Sequence, residues 1–228
     1  MEESAFVSIT SLLCEPSRAK ILWNLLDGRA YTASELALAS DLSPSATSNH
    51  LSKLLNGDIV KVDAQGRHRY YSFANAHVAY VIESLANLVS EEPVEKYDKQ
   101  IVRSGIKYCR TCYDHLAGYV GVTITDALVE QGYLKEYDSN YHVTEKGWDW
   151  FSQFEILEND FTKDRRPLTR QCLDWSERRP HLAGRLGAIF LEKMLQDRWF
   201  KRVEFSRELI ITARGSKLLD DCLNIVFV

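Results

Sequence analysis

Between Thr32 and Phe73 the chain reads TASELALASDLSPSATSNHLSKLLNGDIVKVDAQGRHRYYSF, and no other stretch constrains the fold as tightly. Thr32 and Glu35 have the spacing of a capping box, in which each side chain satisfies a backbone N–H of the other residue. A helix is therefore expected from there to about Ser40. The Asp41-Leu42-Ser43 turn follows, with Ser43 as N-cap of a second helix and Pro44 at its first position, where no N–H is needed. At 3.6 residues per turn Thr47, Leu51, Leu54 and Leu55 share one face of that helix. The opposite face carries Ser45, Ala46, Asn49, Ser52 and Lys53, all short or polar. Gly57-Asp58 ends the helix, and Ile59–Asp63 and Arg67–Phe73 read as strands around Gln65-Gly66.

A helix that buries one side and shows small hydrogen-bonding residues on the other suits a DNA major groove. Two helices joined by a tight turn and followed by a β-hairpin make a helix-turn-helix with a wing. At these residues the sequence resembles the ArsR-type winged-helix repressors of bacteria. The matching pieces are the Leu42-Ser43 turn, the spacing Ser45…Ser48-x-His50-Leu51…Leu54, the Ile59-Val60 strand and the wing Gly66-Arg67-x-x-Tyr70-Tyr71-Ser72. The resemblance covers roughly the first 90 residues. It implies a homodimeric repressor that binds double-stranded DNA, with Ser43, Ser45, Ala46, Ser48, Asn49 and Lys53 on the groove helix. Gln65, Arg67 and Arg69 would reach DNA from the wing. Asn49 is the expected base reader, because its amide can pair bidentately with adenine. The arginines and lysine are expected on phosphates or in the minor groove.

The 228-residue chain carries a formal charge of −4, so affinity for a polyanion has to come from a local patch. Lys53, Lys61, Arg67 and Arg69, set against Asp58 and Asp63, leave an excess of two positive charges between Ser43 and Tyr71. So small an excess favours two copies acting side by side. Five cysteines at irregular spacing do not form a disulfide framework. MEESAFVSIT lacks the basic region and apolar core of a signal peptide, and no apolar run approaches the roughly 18 residues of a membrane span. A cytoplasmic protein with reduced thiols and no membrane partner is expected.

Along the chain, Ser4 to Cys14 reads as a helix with Phe6, Ile9 and Leu13 on one side, and Ser17 caps a second helix to about Leu26. After the wing, Asn75 to Ser90 forms a helix whose Val78, Val81, Ile82, Leu85, Leu88 and Val89 follow a seam spacing. The first helix and this one build the dimer interface in the family; packing inside the protomer is the alternative. The charged, Pro-containing stretch Glu91–Lys99 marks a domain junction. The expected domains are 1–92, for DNA binding and dimerisation, and 100–228.

The second region repeats itself. Cys112-Tyr-Asp114-His115-Leu-Ala-Gly118-x-x-Gly121 returns as Cys172-Leu-Asp174, six inserted residues, then His181-Leu-Ala-Gly184-x-x-Gly187. An aromatic turn follows in each, Gly132-Tyr133-Leu134-Lys135 and Arg198-Trp199-Phe200-Lys201, and then Thr144…Gly147 and Thr212…Gly215. The fold class is therefore mainly α with small β-wings: an N-terminal winged helix-turn-helix plus a helical C-terminal domain. That domain has two related winged-helix-like halves, about 104–158 and 164–226. A glycine inside a helix costs about 1 kcal/mol against alanine. The repeated Gly-x-x-Gly thus implies close backbone approach, with the two His-Leu-Ala-Gly helices crossing at their glycines around a pseudo-twofold axis.

The metal sites of the resembled family are missing. Its arsenic sensors carry Cys-x-Cys in the first helix of the motif, where Glu35–Asp41 here has alanines. Its zinc sensors use an Asp-x-His and a second His-bearing motif on the last dimer helix, where this chain has Asn75-x-His77, then Leu88 and Glu91. No metal and no cofactor is assigned. A small-molecule effector site is placed at Cys112, His115, Cys172, Trp175, Arg178, Arg179 and His181, where tryptophan and arginine can clamp an aromatic or anionic ligand. Three other fates are compatible with these residues. The cysteines can be core residues with the histidines bonded to backbone at the repeat interface. Cys112, His115, Cys172 and His181 can converge as a Cys2His2 tetrahedron. Cys109-x-x-Cys112 beside Lys107 and Arg110 can be a redox pair of lowered pKa, so a repressor responding to thiol oxidation or a thiophilic metal through Cys109, Cys112 and Cys172 is the second reading. The insertion can also be a helix start capped by Asp174 or Ser176, and the basic run Lys163, Arg165 and Arg166 can touch flanking DNA. Neither a phosphate-binding glycine loop nor a nucleophile-elbow serine occurs, and no enzyme is expected. A thiol enzyme using Cys112 and His115 is the third reading.

Overall fold

A computed structural model describes residues 3–86, 88, 105–161 and 166–227. Two compact units divide the chain, residues 1–88 and 89–228. The proposed junction at Glu91–Lys99 lies outside the described residues, as do Val89, Lys163 and Arg165.

The first unit runs α1 (Glu3–Leu13), α2 (Pro16–Leu25), β1 (Tyr31–Thr32), α3 (Ala33–Ser40), α4 (Pro44–Asn56), β2 (Val60–Gln65), β3 (His68–Phe73) and α5 (Ala76–Ala86). The capping box forms as the sequence predicts. Thr32 Oγ1 accepts from Glu35 N–H while Glu35 Oε2 accepts from Thr32 N–H. Ser43 Oγ accepts from Ala46 N–H, and Pro44 opens α4. Asp41 closes α3 in a left-handed conformation, which a short polar side chain tolerates better than a branched one. Thr47, Leu51 and Leu54 of α4 are buried together with Ile21, Leu25 and Leu36. The three-stranded sheet has the order β1-β3-β2, all antiparallel, and Gly66-Arg67 turns the wing between Gln65 and His68. Strand β1, paired through Tyr31↔Tyr71 and Thr32↔Tyr70, is absent from the sequence reading. A two-residue strand has no periodicity to read.

Helix α2 is capped by Glu15, whose carboxylate accepts from Ser17 and Arg18 N–H; the expected cap, Ser17, is instead a helical residue of the first turn. Glutamate competes here because Pro16 fixes the first helical position beside it. Arg18 folds back to donate to Leu12 O and Ser11 O, satisfying carbonyls at the end of α1. Helix α1 has no buried residue, with Phe6, Val7 and Ile9 exposed. In α5 Ala79 and Ile82 are buried, while Val81, Leu85 and the nearby Leu88 are exposed.

The second unit repeats one order of elements. It runs β4 (Arg110–Cys112), β5 (His115–Ala117), α6 (Gly118–Glu130), β6 (Leu134–Tyr137), β7 (Asn140–Val143) and α7 (Glu145–Ser152). It then runs β8 (Arg170–Leu173), β9 (Pro180–Ala183), α8 (Gly184–Gln196), β10 (Phe200–Arg202), β11 (Leu209–Ile211) and α9 (Ala213–Leu223). The molecule is mainly helical with small hairpins in both units, as the sequence predicts. The Thr-x-x-Gly motif is an N-cap. Thr144 Oγ1 accepts from Gly147 N–H and Thr212 Oγ1 from Gly215 N–H. A Cβ on those glycines would lie 2.1 Å from Tyr133 O and 2.0 Å from Trp199 O, so each aromatic turn rests on the following helix.

The His-Leu-Ala-Gly segments are not helical, as the sequence reading had them. His115–Ala117 and His181–Ala183 are the second strands of hairpins, and Gly118 and Gly184 begin the helices at φ of 78° and 88°. Gly121 and Gly187 do allow close approach, but to Leu116 O and Leu182 O of their own hairpins rather than to each other's helix. The halves meet by exchange: α6 packs on β9 and α8 on β5. Leu182 N–H donates to Thr125 Oγ1 of α6 at 2.9 Å, and a Cβ on Gly187 would touch His115 Cβ. Val120, Leu128, Leu186, Phe190, Trp199 and Leu219 fill the common core.

Candidate nucleic-acid interface and a buried cysteine–histidine cluster

In the first unit, burying Thr47, Leu51 and Leu54 of α4 turns Ser45, Ser48, Asn49, Ser52 and Lys53 outward, all exposed; Ala46 is half-buried. Ser43 is exposed, but its hydroxyl already caps α4 and lies 3.2 Å from Ser45 Oγ. At the wing Gln65, Arg67 and Arg69 are exposed, with Arg67 Nε donating to His68 Nε2. Each candidate DNA-contacting side chain of the sequence reading except Ala46 is therefore open to solvent, on α4, its cap or the wing.

In the second unit the antiparallel register places Cys112 opposite His115 and Cys172 opposite His181. Cross-strand partners point to the same face of a sheet. Each hairpin thus offers one thiol and one imidazole on one face, and β5 packs against β9 so that those faces meet. The donor atoms of Cys112, His115, Cys172 and His181 all lie within 4.8 Å of one another, and all four residues are buried. The two sulfurs are 3.8 Å apart and the imidazoles stack at 5.1 Å between centroids. Two aspartates flank the cluster at equivalent positions of the repeat. Asp114 Oδ1 is 3.2 Å from His115 Nδ1, and Asp174 Oδ2 faces His181 Nδ1 at 3.5 Å, an electrostatic contact rather than a formed hydrogen bond.

The charges around the cluster are paired. Arg166 holds Asp114 through both terminal nitrogens, Nη1 donating to Oδ2 and Nη2 to Oδ1. Burial works to raise the Asp114 pKa, yet the bonds from His115 and Arg166 bring it down to about 2. Asp174, fully buried, is held well below the usual carboxylate range against the effect of burial by Arg110, His181, Gly118 N–H and Ser176. Burial draws His115 down, but neighbouring Cys112 and Asp114 outweigh it and push the imidazole up to about 9.

The remaining candidate residues do not join them. Cys109 lies in the bend before β4, outside the hairpin, whereas Cys112 on β4 packs with Cys172, Ala117 and Ala183. Cys109 packs in the large core, and burial pushes its thiol pKa up, opposite to the lowered value of the sequence reading. Trp175 lies under the Arg110 guanidinium at 4.4 Å, and Arg179 pairs with Asp126 at 2.8 Å. Arg178 is exposed with a φ of 54°. The insertion is a loop rather than a helix start, and Asp174 Oδ1 accepts from Ser176 N–H, Ser176 Oγ and Glu177 N–H. Sequence reasoning read Arg110 only as a neighbour of the thiol pair and gave Asp114 no role. The Asp recurring two positions after each Cys was the available signal.

Residues 15–62 match the family described as "Bacterial regulatory protein, arsR family". The uncharacterized HTH-type transcriptional regulator YdfF of Bacillus subtilis is 43% identical over 217 residues, 95% of this chain and 96% of that protein. The HTH-type transcriptional regulator CmtR of Mycobacterium tuberculosis is 37% identical over 89 residues, covering 39% of this chain and 75% of its own. The solved structure of HlyU from Vibrio cholerae is 28% identical, covering 40% of this chain and all of that one, at a TM-score of 0.36. Identity that extends through both units to an HTH-type regulator, joined to the match across α2, α3 and α4, places this chain in the ArsR-type family of DNA-binding winged-helix transcriptional regulators.

Proposed function

We propose that the protein is a sequence-specific repressor that binds double-stranded DNA as a homodimer, with its C-terminal unit receiving the controlling ligand. The observation that carries this reading is the outer face of α4, where Ser45, Ser48, Asn49 and Lys53 stand exposed above the buried Thr47, Leu51 and Leu54. Asn49 reads a base, and Lys53, Arg67 and Arg69 neutralise phosphates. Dimerisation is supported by the apolar residues left exposed on α1 (Phe6, Val7, Ile9) and around α5 (Val81, Leu85, Leu88). The repeated order of elements in the second unit supports a duplication into two related winged-helix-like halves. A ligand bound there shifts the dimer between DNA-competent and incompetent geometries by its differential affinity for the two.

The test selects DNA from a random pool with the full chain and measures its affinity and stoichiometry. A duplex with two half-sites about one helical turn apart, bound by two chains, is expected. Phe6→Glu combined with Leu85→Glu is expected to yield monomers with weakened binding. Selection of no consensus, or equal affinity for selected and random duplexes, overturns the reading.

A further inference from the structure

The sequence reading assigns no metal: the family's metal-holding thiols are missing from α3, and of its zinc ligands only His77 has a counterpart in α5. The second unit, however, brings together four side chains with the donor set of a tetrahedral ion site. We propose that Cys112, His115, Cys172 and His181 bind a single thiophilic divalent cation of the zinc class, which joins the two hairpins across the repeat.

Three observations carry this. The first is the donor set. Two thiols and two imidazoles lie within 4.8 Å of one another, and their relative exposures are 2%, 6%, 5% and 1% in chain order. Thiolates about 2.3 Å from a tetrahedral ion stand roughly 3.8 Å apart, and the two sulfurs are separated by 3.8 Å. The widest donor separation, which involves an imidazole nitrogen, contracts by roughly 1.2–1.5 Å to reach the edges set by such bond lengths. The second is the pair of imidazole Nε2 atoms. Those of His115 and His181 are both buried with no oxygen or nitrogen partner, and only the cluster's own thiols lie beside them. A buried polar atom left so costs roughly 1–3 kcal/mol, and coordination removes that cost at both. The third is the pair of aspartates, Asp114 and Asp174, each facing the Nδ1 of its own hairpin's histidine. At His115 the carboxylate is within hydrogen-bond distance of Nδ1 and fixes the tautomer that turns Nε2 toward the ion; at His181 the carboxylate stands at 3.5 Å, a contact that ligation would tighten.

So enclosed a space, with donors this close, admits an ion and not an organic effector. Four protein ligands leave no open position, so the site is of the closed type that stabilises a fold rather than one that activates water. On binding, the protons held by the two thiols and by the His115 imidazole leave to solvent and two sulfur–metal and two nitrogen–metal bonds form, with no change of oxidation state. Whether the ion is also the controlling ligand rests on the regulatory reading above; its binding does not.

The experiment loads the reduced, metal-stripped full chain with Co²⁺ and then displaces it with Zn²⁺. One equivalent per chain is expected, with the intense visible bands of tetrahedral cobalt and a sulfur-to-cobalt charge-transfer band, both abolished by stoichiometric Zn²⁺. Cys172→Ser is expected to weaken the charge-transfer band and reduce affinity at least 100-fold, and Cys14→Ser, at an exposed thiol, to leave both unchanged. If Cys172→Ser does not fold, the spectrum of the parent chain decides alone. An octahedral cobalt spectrum, no saturable uptake, or an unaltered spectrum in folded Cys172→Ser overturns the proposal. DNA affinity, measured separately on the same samples, reports on the regulatory reading.

Discussion

Arg110 Nη2 donates to Asp174 Oδ2 at 2.8 Å, with neither side chain accessible to solvent. The same carboxylate oxygen accepts from Gly118 N–H, the first residue of α6, and the guanidinium also donates to Ile106 O and Ser176 Oγ. One ion pair therefore fixes the start of a helix in the first repeat to a loop of the second. Removing one partner of such a pair leaves a buried charge without compensation, at about 3–5 kcal/mol. Arg110→Met is expected to lower the stability of the C-terminal unit by that amount in urea titrations. Arg214→Met, at an exposed position, is expected to stay within about 0.5 kcal/mol.

The glycines of the C-terminal unit separate into two kinds. A Cβ at Gly215 would lie 2.0 Å from the backbone oxygen of Trp199, which cannot rotate away, whereas one at Gly132 would meet nothing within 4 Å. Gly215→Ala is expected to cost about 3 kcal/mol through overpacking. Gly132→Ala is expected to cost only about 1–2 kcal/mol, the strain of a side chain at its φ of 74°. Thermal unfolding of both variants checks the order; equal losses would mean that the aromatic turn can move off its helix.

On DNA, Asn49→Ala and Arg67→Ala are expected to fail differently. The first loses about 1–3 kcal/mol of discrimination at one base position and leaves the salt dependence unchanged. The second weakens binding to all sequences and reduces the slope of log K against log salt by about 1. Anisotropy titrations over a salt series, on the selected duplex and on single-base variants of it, distinguish the two.

At the cysteine–histidine cluster, Asp114→Ala keeps all four donors but removes the carboxylate that orients His115. Zinc affinity is expected to fall about 10–100-fold while the tetrahedral cobalt spectrum persists. Competition with a chromophoric chelator measures the first, and the absorption spectrum the second. An unchanged affinity would exclude Asp114 as a positioning residue.

The N-terminal unit could be read closely because its signals are local. A capping box, an N-cap followed by proline, and an apolar stripe at helical spacing each act within a few residues, and α3 and α4 start and stop where those signals lie. The wing was legible for the same reason. Misreadings arose where two local options were close in energy or no pattern existed. Glu15 displaced Ser17 as a cap, and β1 is too short to carry a period.

In the C-terminal unit the sequence by itself determined the repeat, its N-caps and which residues recur. It did not determine that His-Leu-Ala-Gly is a strand edge. Tyr113-Asp114 lacks the glycine that usually marks a two-residue hairpin turn, and Tyr113 adopts a φ of 58° because the surrounding strands hold it there. Only the tertiary structure decided that Cys112 and His115 meet Cys172 and His181 while Cys109 does not. Spacing along a chain defines a face once the element type is known, but convergence of two faces is set by long-range packing. Here that packing is the exchange of α6 and α8 onto each other's hairpins, which joins positions 60 residues apart.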